Sequence, residues 1–369
     1  MLPEHLQNEL EESFKKYKPS DKQKQQISKR IEAMYEEAKI APGEAIGIIT
    51  AESFGEPSTQ MTISSFHFAG VAEMNVTVGL VRLIEIFDAR KKPSTPRMEL
   101  PLKAKYAKTI EMVKEVSLKI KETKLADIVS EININVAKAT IEVELDKKKI
   151  RELDIKPSHV LTRLKDSFKT LEVRELKEGI SLKAKDQIKL SELYKLKEKA
   201  KTIHIAGLKG VTQVLPIKDE DGYIIHTAGS NLKDALKMEE IDKTHITSND
   251  IFEIADVFGI EAARKAIINE SLKVIKDQGL DIDIRHVMFL SDVMTRSGTI
   301  KGVTRTGITG EKESVLARAS FETPMKHIIN ASLIGERDDL NSVVENVILN
   351  QPVPLGTGLP GVVTKGSKK

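Results

Sequence analysis

The sequence predicts an α+β fold built from several segments, and three observations carry that expectation. Ile132-Asn133-Ile134-Asn135-Val136 and Thr140-Ile141-Glu142-Val143-Glu144-Leu145 alternate at period two, the pattern of half-buried strands. Glu261 to Asp277 repeats at helical spacing instead, with Ile268, Leu272 and Ile275 as its apolar stripe and Gly279 placed to end it. Between these two kinds of pattern and the N-terminus lies a glycine-bracketed stretch, Pro42 to Pro96, with a chemistry of its own.

Taken in order, residues 1–40 read as two amphipathic helices around Lys18-Pro19-Ser20. Ile27, Ile31, Met34 and Ala38 give the second an apolar stripe that either packs on a neighbour or caps the N-terminus.

Residues 41–96 form the next segment. The Glu56-Pro57 step suits a helix start, because proline is tolerated at the first helical position. A helix from Pro57 to about Ala69 sets Gln60, Ile63, Ser64 and His67 on one face. An amide, one apolar contact, a hydroxyl and an imidazole make a poor core face and a candidate ligand face. Met61, Ser65 and Phe68 line a second side, and Thr62, Phe66 and Ala69 a third, both suited to packing on protein. Gly55 before this helix, and Gly70 and Gly79 after it, are hinge candidates. A short helix between hinges, with one histidine on a polar face, has the form of a mobile lid that completes a site. An ordinary buried helix with a satisfied core histidine fits the same periodicity. Val81 to Ala89 reads as a second helix, and Pro93 and Pro96 mark a boundary.

Residues 97–215 are lysine-rich and mixed. Pro157 to Phe168 reads as a helix with Val160, Leu161 and Leu164 on one side. Leu171-Glu172-Val173 and Ile180-Ser181-Leu182 read as strands, and Ile203 to Gly207 is expected to pair with Val211 to Leu215 around a glycine-containing turn. Asp219-Glu220-Asp221-Gly222 reads as a turn. Residues 216–310 and 311–358 are the remaining segments, and residues 359–369 a glycine-, lysine- and serine-rich tail.

Composition excludes several classes. The chain has no cysteine, which removes disulfides, thiolate metal sites and cysteine nucleophiles and agrees with a reducing, cytoplasmic setting. The N-terminus is polar, without a signal peptide, and no apolar run approaches the roughly 18 residues of a membrane span, so no membrane partner is expected. Tryptophan is absent and aromatics are 4%, so stacking platforms for single-stranded nucleic acid are few. The net charge is only +3, yet residues 101–210 hold 26 Lys and Arg against 17 Asp and Glu. That basic region suits a module facing nucleic acid, and equally a solvated lysine-rich surface. Neither a P-loop nor a dinucleotide-binding glycine pattern is present, and no tight group of aspartates offers a metal site. Asp281 and Asp283 stand near an element boundary and read as solvated.

One resemblance is long and specific. Pro42-Gly43-Glu44-Ala45-Ile46-Gly47, then Gly55-Glu56-Pro57-Ser58-Thr59-Gln60-Met61-Thr62, then Phe66-His67-Phe68-Ala69-Gly70-Val71 resembles the trigger loop of the largest subunit of multisubunit RNA polymerases. Gly79-Leu80-Val81-Arg82-Leu83-Ile84-Glu85-Ile86 and Pro93-Ser94-Thr95-Pro96 continue it. Thr227-Ala228-Gly229-Ser230-Asn231-Leu232, Ser248-Asn249-Asp250-Ile251, Phe258-Gly259-Ile260-Glu261-Ala262-Ala263-Arg264 and Asp292-Val293-Met294-Thr295 resemble its cleft segment. Leu316 to Glu322, Glu345 to Leu349 and Pro354-Leu355-Gly356-Thr357-Gly358 resemble its clamp end. The length and the start just before the trigger loop look like the archaeal arrangement, in which the largest subunit is split and this chain is the C-terminal piece.

The resemblance implies a helical cleft and trigger-loop region, an α+β jaw placed by order at residues 97–215, and a mixed clamp end. It implies template-directed RNA synthesis in a complex with the N-terminal piece of the largest subunit, the second-largest subunit and small subunits. DNA, an RNA–DNA hybrid and nucleoside triphosphates are the implied ligands. Magnesium (Mg2+) is implied to be bound by the partner piece, with no metal site in this chain. Gln60 would face the sugar, Ile63 would pack on the base, and His67 would approach the phosphates as the catalytic residue. Arg305 would lie close to nucleic acid, with a salt-bridged structural arginine as the alternative. Arg264, Arg285, Arg296, Arg318 and His286 read as structural. Glu52, Ile63 and Ser64 depart from the family's commoner residues at those positions. The rival reading is a non-catalytic nucleic-acid-binding or assembly scaffold.

Overall fold

The computed structural model describes residues 2–64, 79–107, 109–135, 140–153, 155–168, 171–176, 179–184, 190–219, 222–321 and 323–359. Helices α1 (Glu4–Tyr17) and α2 (Asp21–Glu37) flank the Lys18-Pro19-Ser20 break, and the Gln23 side chain accepts from Ser20 N at 3.0 Å to start α2. Then come α3 (Ile46–Ser64), α4 (Leu80–Phe87), β1 (Arg97–Pro101), α5 (Ile110–Ile120), β2 (Thr123–Lys124), α6 (Leu125–Ile128), β3 (Val129–Asn135) and β4 (Thr140–Leu145). They are followed by α7 (Lys147–Glu152), α8 (Pro157–Ser167), β5 (Leu171–Leu176), β6 (Gly179–Ala184), α9 (Leu190–Lys201), β7 (His204–Ala206), β8 (Gln213–Asp219) and β9 (Gly222–Ala228). The chain continues through α10 (Leu232–Ala235), β10 (Thr247–Ser248), α11 (Ile251–Phe258), α12 (Ile260–Asp277), α13 (Ile284–Thr295), α14 (Val315–Phe321), α15 (Pro324–Ile334) and α16 (Val343–Ile348).

These elements group into two compact units, Met1–Glu52 with Glu311–Lys369, and Ser53–Gly310. In the first unit α14 packs on α15 and α16. Asp338 accepts from the Ser314 hydroxyl at 2.7 Å and from Leu316 N at 3.1 Å, so the start of α14 is closed by the segment that follows α15. Arg318 pairs with Glu336 across the same turn. The stripe on α2 is only partly covered: no residue of that helix is buried, Ile31 is half-buried and Met34 is 59% exposed.

The second unit holds separate cores. One lies under the antiparallel sheet β3-β4-β6-β5, where Ile141, Val143, Ile180 and Leu182 meet Val160 and Leu164 of α8. The alternation read from the sequence decides this, because every second residue of β4 must enter the core. A second core lies under the sheet β10-β1-β9-β8, where Met98, Leu100 and Ile225 meet Val113, Val116 and Ile120 of α5. Strand β8 spans residue 215, so this sheet joins residues on both sides of the expected 215/216 boundary. The third is helical and is described below.

One pairing differs from expectation. Ile203–Gly207 and Val211–Leu215 do not form a hairpin. Instead β7 pairs with β2, through Thr123 and Ala206, while β8 pairs with β9 from Gln213↔Ala228 to Asp219↔Gly222. The reason is local. Gly207 presses its backbone on Lys121, Leu208 N donates to Ile120 O at 3.0 Å, and Glu122 N donates to Val211 O at 2.9 Å. The chain thus wraps around residues 120–122, and β9 offers β8 a far longer ladder than three-residue β7 could.

Two glycines predict a measurable contrast. Gly207 has φ +82°, and a Cβ there would lie 1.9 Å from the Lys121 carbonyl oxygen. Gly259 has φ +94° with nothing within 4 Å of such a Cβ. Gly207→Ala is expected to destabilise by roughly 3 kcal/mol or more, and Gly259→Ala by about 1 kcal/mol, as strain plus overlap exceeds strain alone. Equilibrium denaturation of the two variants checks the order.

Candidate functional site

Helix α3 leads to the motif of interest, and it starts earlier than the sequence suggested. It begins at Ile46, so Pro57 lies inside the helix and not at its first turn. The apolar residues from Ile46 to Phe54 extend the helix backwards, and tertiary packing on both sides of Pro57 tolerates the missing hydrogen bond. Met61, expected on a protein-facing side, is 1% exposed among Leu83, Ile268, Val274, Ile275, Ile282 and Val287. Pro57 is buried as well, whereas Glu56, Thr59 and Gln60 are exposed on the other side. Ile63 lies in the last turn of α3, which ends at Ser64. His67 and Gly70 lie outside the described residues. Gly55 is inside α3, and Gly79, at φ +106°, precedes α4 as its cap.

Two contacts mount the root of this helix within the second unit. Phe54 meets Phe87 of α4 edge to face, with centroids 5.2 Å apart and planes at 77°. The Ser53 hydroxyl lies 3.3 Å from Nε2 of His286 on α13. Asp283 caps α13, accepting from Arg285 N at 2.9 Å and from its guanidinium at 3.0 and 2.6 Å. Those hydrogen bonds hold the Asp283 carboxyl down to about 2.

Helix α4 is fixed by a buried ionic cluster that the sequence reading did not single out. Arg82 is 7% exposed and Glu85 2%. Arg82 Nη1 donates to Glu85 Oε2 at 3.1 Å, while Nη2 donates to the Asn249 carbonyl at 2.5 Å and to Glu270 Oε2 of α12 at 3.4 Å. Ser94 donates to Glu85 from its backbone N–H at 3.3 Å and from its hydroxyl. Burial pushes the Glu85 carboxyl up, but the donors Ser94 and Arg82 outweigh it and hold it below the usual range. The available signal was two opposite charges three residues apart inside an otherwise apolar helix, Leu80–Phe87.

The motifs beyond α4 serve this frame. Asn249 accepts from Arg97 N at 2.8 Å and donates to Thr95 O at 2.7 Å, tying the Pro93–Pro96 boundary to the start of α11. Asp250 caps α11 through Phe252 N and Glu253 N. Burial pushes the Glu253 carboxyl up, although it accepts from Leu232 N at 2.5 Å. Arg264 pairs with Asp292, and Arg285 with Asp283, as structural arginines would. Arg296 is exposed at the end of α13. Arg305 is exposed in a turn anchored to α4, since Val303 N donates to Phe87 O at 2.7 Å and Ile308 N to Gly302 O at 3.0 Å. The structure therefore gathers the root of α3, helix α4 and the Arg305 turn around α12 and α13.

Among the described residues no group of three or more His, Asp or Glu is placed to hold a metal ion. No helix among them is long and apolar enough to cross a membrane.

Comparison with known proteins gives a consistent result. The family model described as RNA polymerase Rpb1, domain 5 matches residues 6–316. The DNA-directed RNA polymerase subunit Rpo1C of Thermococcus gammatolerans is 44% identical over 358 residues, covering 97% of this chain and 92% of that relative.

Removing the Arg82 guanidinium leaves two carboxylates without their cation in a dry site. Arg82→Met is expected to destabilise by about 3–5 kcal/mol in chemical denaturation. Asp283→Ala is expected to cost about 1 kcal/mol at pH 7 through loss of the cap. The folded Asp283 carboxyl titrates at about 2, below the unfolded value of about 3.9, so its contribution is present above the latter. The gap between wild type and Asp283→Ala should therefore close as pH falls from about 4 toward 2, measured by denaturation across that window.

Proposed function

The chain belongs to the RNA polymerase Rpb1 domain 5 family, and on that premise we propose that it supplies the helix that closes over the incoming nucleotide during RNA synthesis. It is a subunit of a DNA-directed RNA polymerase, a nucleotidyltransferase complex, and works with other polymerase subunits. The observation that carries the finer reading is the two-sidedness of α3. Met61 is locked in the core while Gln60, one residue earlier, is exposed, and the helix runs directly into the motif that contains His67.

In this reading Gln60 contacts the sugar of the nucleoside triphosphate, Ile63 packs on the base, and His67 reaches the phosphates. Attack by the RNA 3′-hydroxyl expels pyrophosphate, and charge develops on the leaving group. The His67 imidazole donates a hydrogen bond or proton there, or supplies positive charge. Gly55, Gly70 and Gly79 are the hinge candidates of this unit. The magnesium that the reaction needs is held, in this reading, by the N-terminal piece of the largest subunit. The second-largest and small subunits complete the assembly, which works on duplex DNA and an RNA–DNA hybrid in the cytoplasm. Residues 97–215 act as the jaw and residues 311–358 as the clamp end. Arg305, exposed on a turn anchored to α4, contacts nucleic acid phosphate.

The test is single-nucleotide addition by the reconstituted polymerase on a preformed elongation scaffold, at saturating substrate. His67→Ala in this subunit is expected to lower the maximal rate by about 10²-fold or more with assembly and DNA binding intact. An unchanged rate would transfer the protein to the scaffold reading.

A further inference from the structure

Helix α3 has a weak turn, and that turn is clamped from outside. Pro57 has no N–H to offer the Ser53 carbonyl four residues back, so the helical ladder skips a rung there. At the same turn the Ser58 hydroxyl donates to Phe54 O at 2.6 Å and the Thr59 hydroxyl to Gly55 O at 3.3 Å. Hydroxyls that bond back to the preceding turn favour bending of a helix. Gly55 adds no side chain to stiffen the turn, and a Cβ there would meet nothing within 4 Å. The direction in which the Gln60 side of α3 points is thus not set by the helix alone.

It is set by what holds each side of the gap. After the proline, Met61 is buried between α4, α12 and α13. Before it, Phe54 stands against Phe87, and the Ser53 hydroxyl meets His286. His286 is half-buried two residues into α13, behind the Asp283 cap, and Val287 beside it packs in the same core as Met61. Among these three contacts Ser53–His286 is the polar, directional one, so it restrains the rotation of the root about the helix axis.

We propose that His286 is a positioning residue for nucleotide addition, acting through the Ser53 hydroxyl to orient the substrate-facing side of α3 across the Pro57 gap. The proposal rests on the reading that α3 presents a substrate face. It assigns a role in turnover to a histidine that the sequence reading had placed in the framework.

The experiment uses the reconstituted polymerase on an elongation scaffold, with rates normalised to the fraction of assembled, template-engaged enzyme. His286→Ala and Ser53→Ala are each expected to lower the maximal addition rate about three- to tenfold, the range that one neutral hydrogen bond supports. The double variant should be no slower than either single one. His286→Gln, whose amide reaches the place of Nε2, should recover at least half of the rate. In a His67→Ala background, His286→Ala should have no further effect, which a merely structural role would not produce. If His67→Ala slows addition but His286→Ala does not, the positioning role is overturned and the lid reading stands. Equal slowing by His286→Ala with and without His67 also overturns it. If His67→Ala changes nothing, the lid reading itself fails and the positioning role falls with it.

Discussion

The second unit depends on a cation that has been taken out of water. The Arg82 guanidinium is stabilised there because acceptors arrive from three places, Glu85 on its own helix, Glu270 on α12 and the Asn249 carbonyl before α11, while Ser94 on the segment leaving α4 donates to Glu85. Desolvating an arginine and two carboxylates costs several kcal/mol each, and the cost is offset only with all partners in place. The cluster therefore ties helix α4, the Pro93–Pro96 boundary and the start of α11 into one arrangement. A hydrophobic contact could slide; this set cannot, because each displaced partner leaves a buried charge uncompensated.

On that frame the neighbouring elements take their places. Helix α4 brings Phe87 to Phe54 and its final carbonyl to Val303, so one short helix positions both the root of α3 and the turn that exposes Arg305. Helix α12 closes the arrangement from below, ended by Gly279, with Leu280 N donating back to Ile275 O at 3.2 Å. The β3-β4-β6-β5 sheet has a core of its own, whereas the β10-β1-β9-β8 sheet is joined to this frame, through Arg97 N on Asn249 and through Lys273 of α12, which pairs with Glu99 of β1 at 2.7 Å.

Much of the fold was legible because its signals are local. Period-two alternation located β3 and β4, the Lys18-Pro19-Ser20 break separated α1 from α2, and the stripe of Ile268, Leu272 and Ile275 located α12. Errors arose where a local rule met a distant partner. A proline after Glu56 reads as a helix start, yet the helix passes through it, since burial of Pro57 and Met61 offsets one missing hydrogen bond. A short strand before a glycine reads as half of a hairpin, yet β7 turns to β2 because the backbone of Gly207 can approach Lys121.

The sequence by itself determined the family and the α+β class, because a long motif and the periodicity of strands and helices are properties of neighbouring residues. Only the tertiary structure decided which side chains hold the root of α3 in place. Ser53 and His286 are 233 residues apart, as are no residues that periodicity can relate, and they meet because α13 packs beside α3 in one core. Arg82 and Glu85 were visible as charges on an apolar helix, but whether they faced solvent or each other depended on Asn249 and Glu270 arriving from elsewhere in the chain.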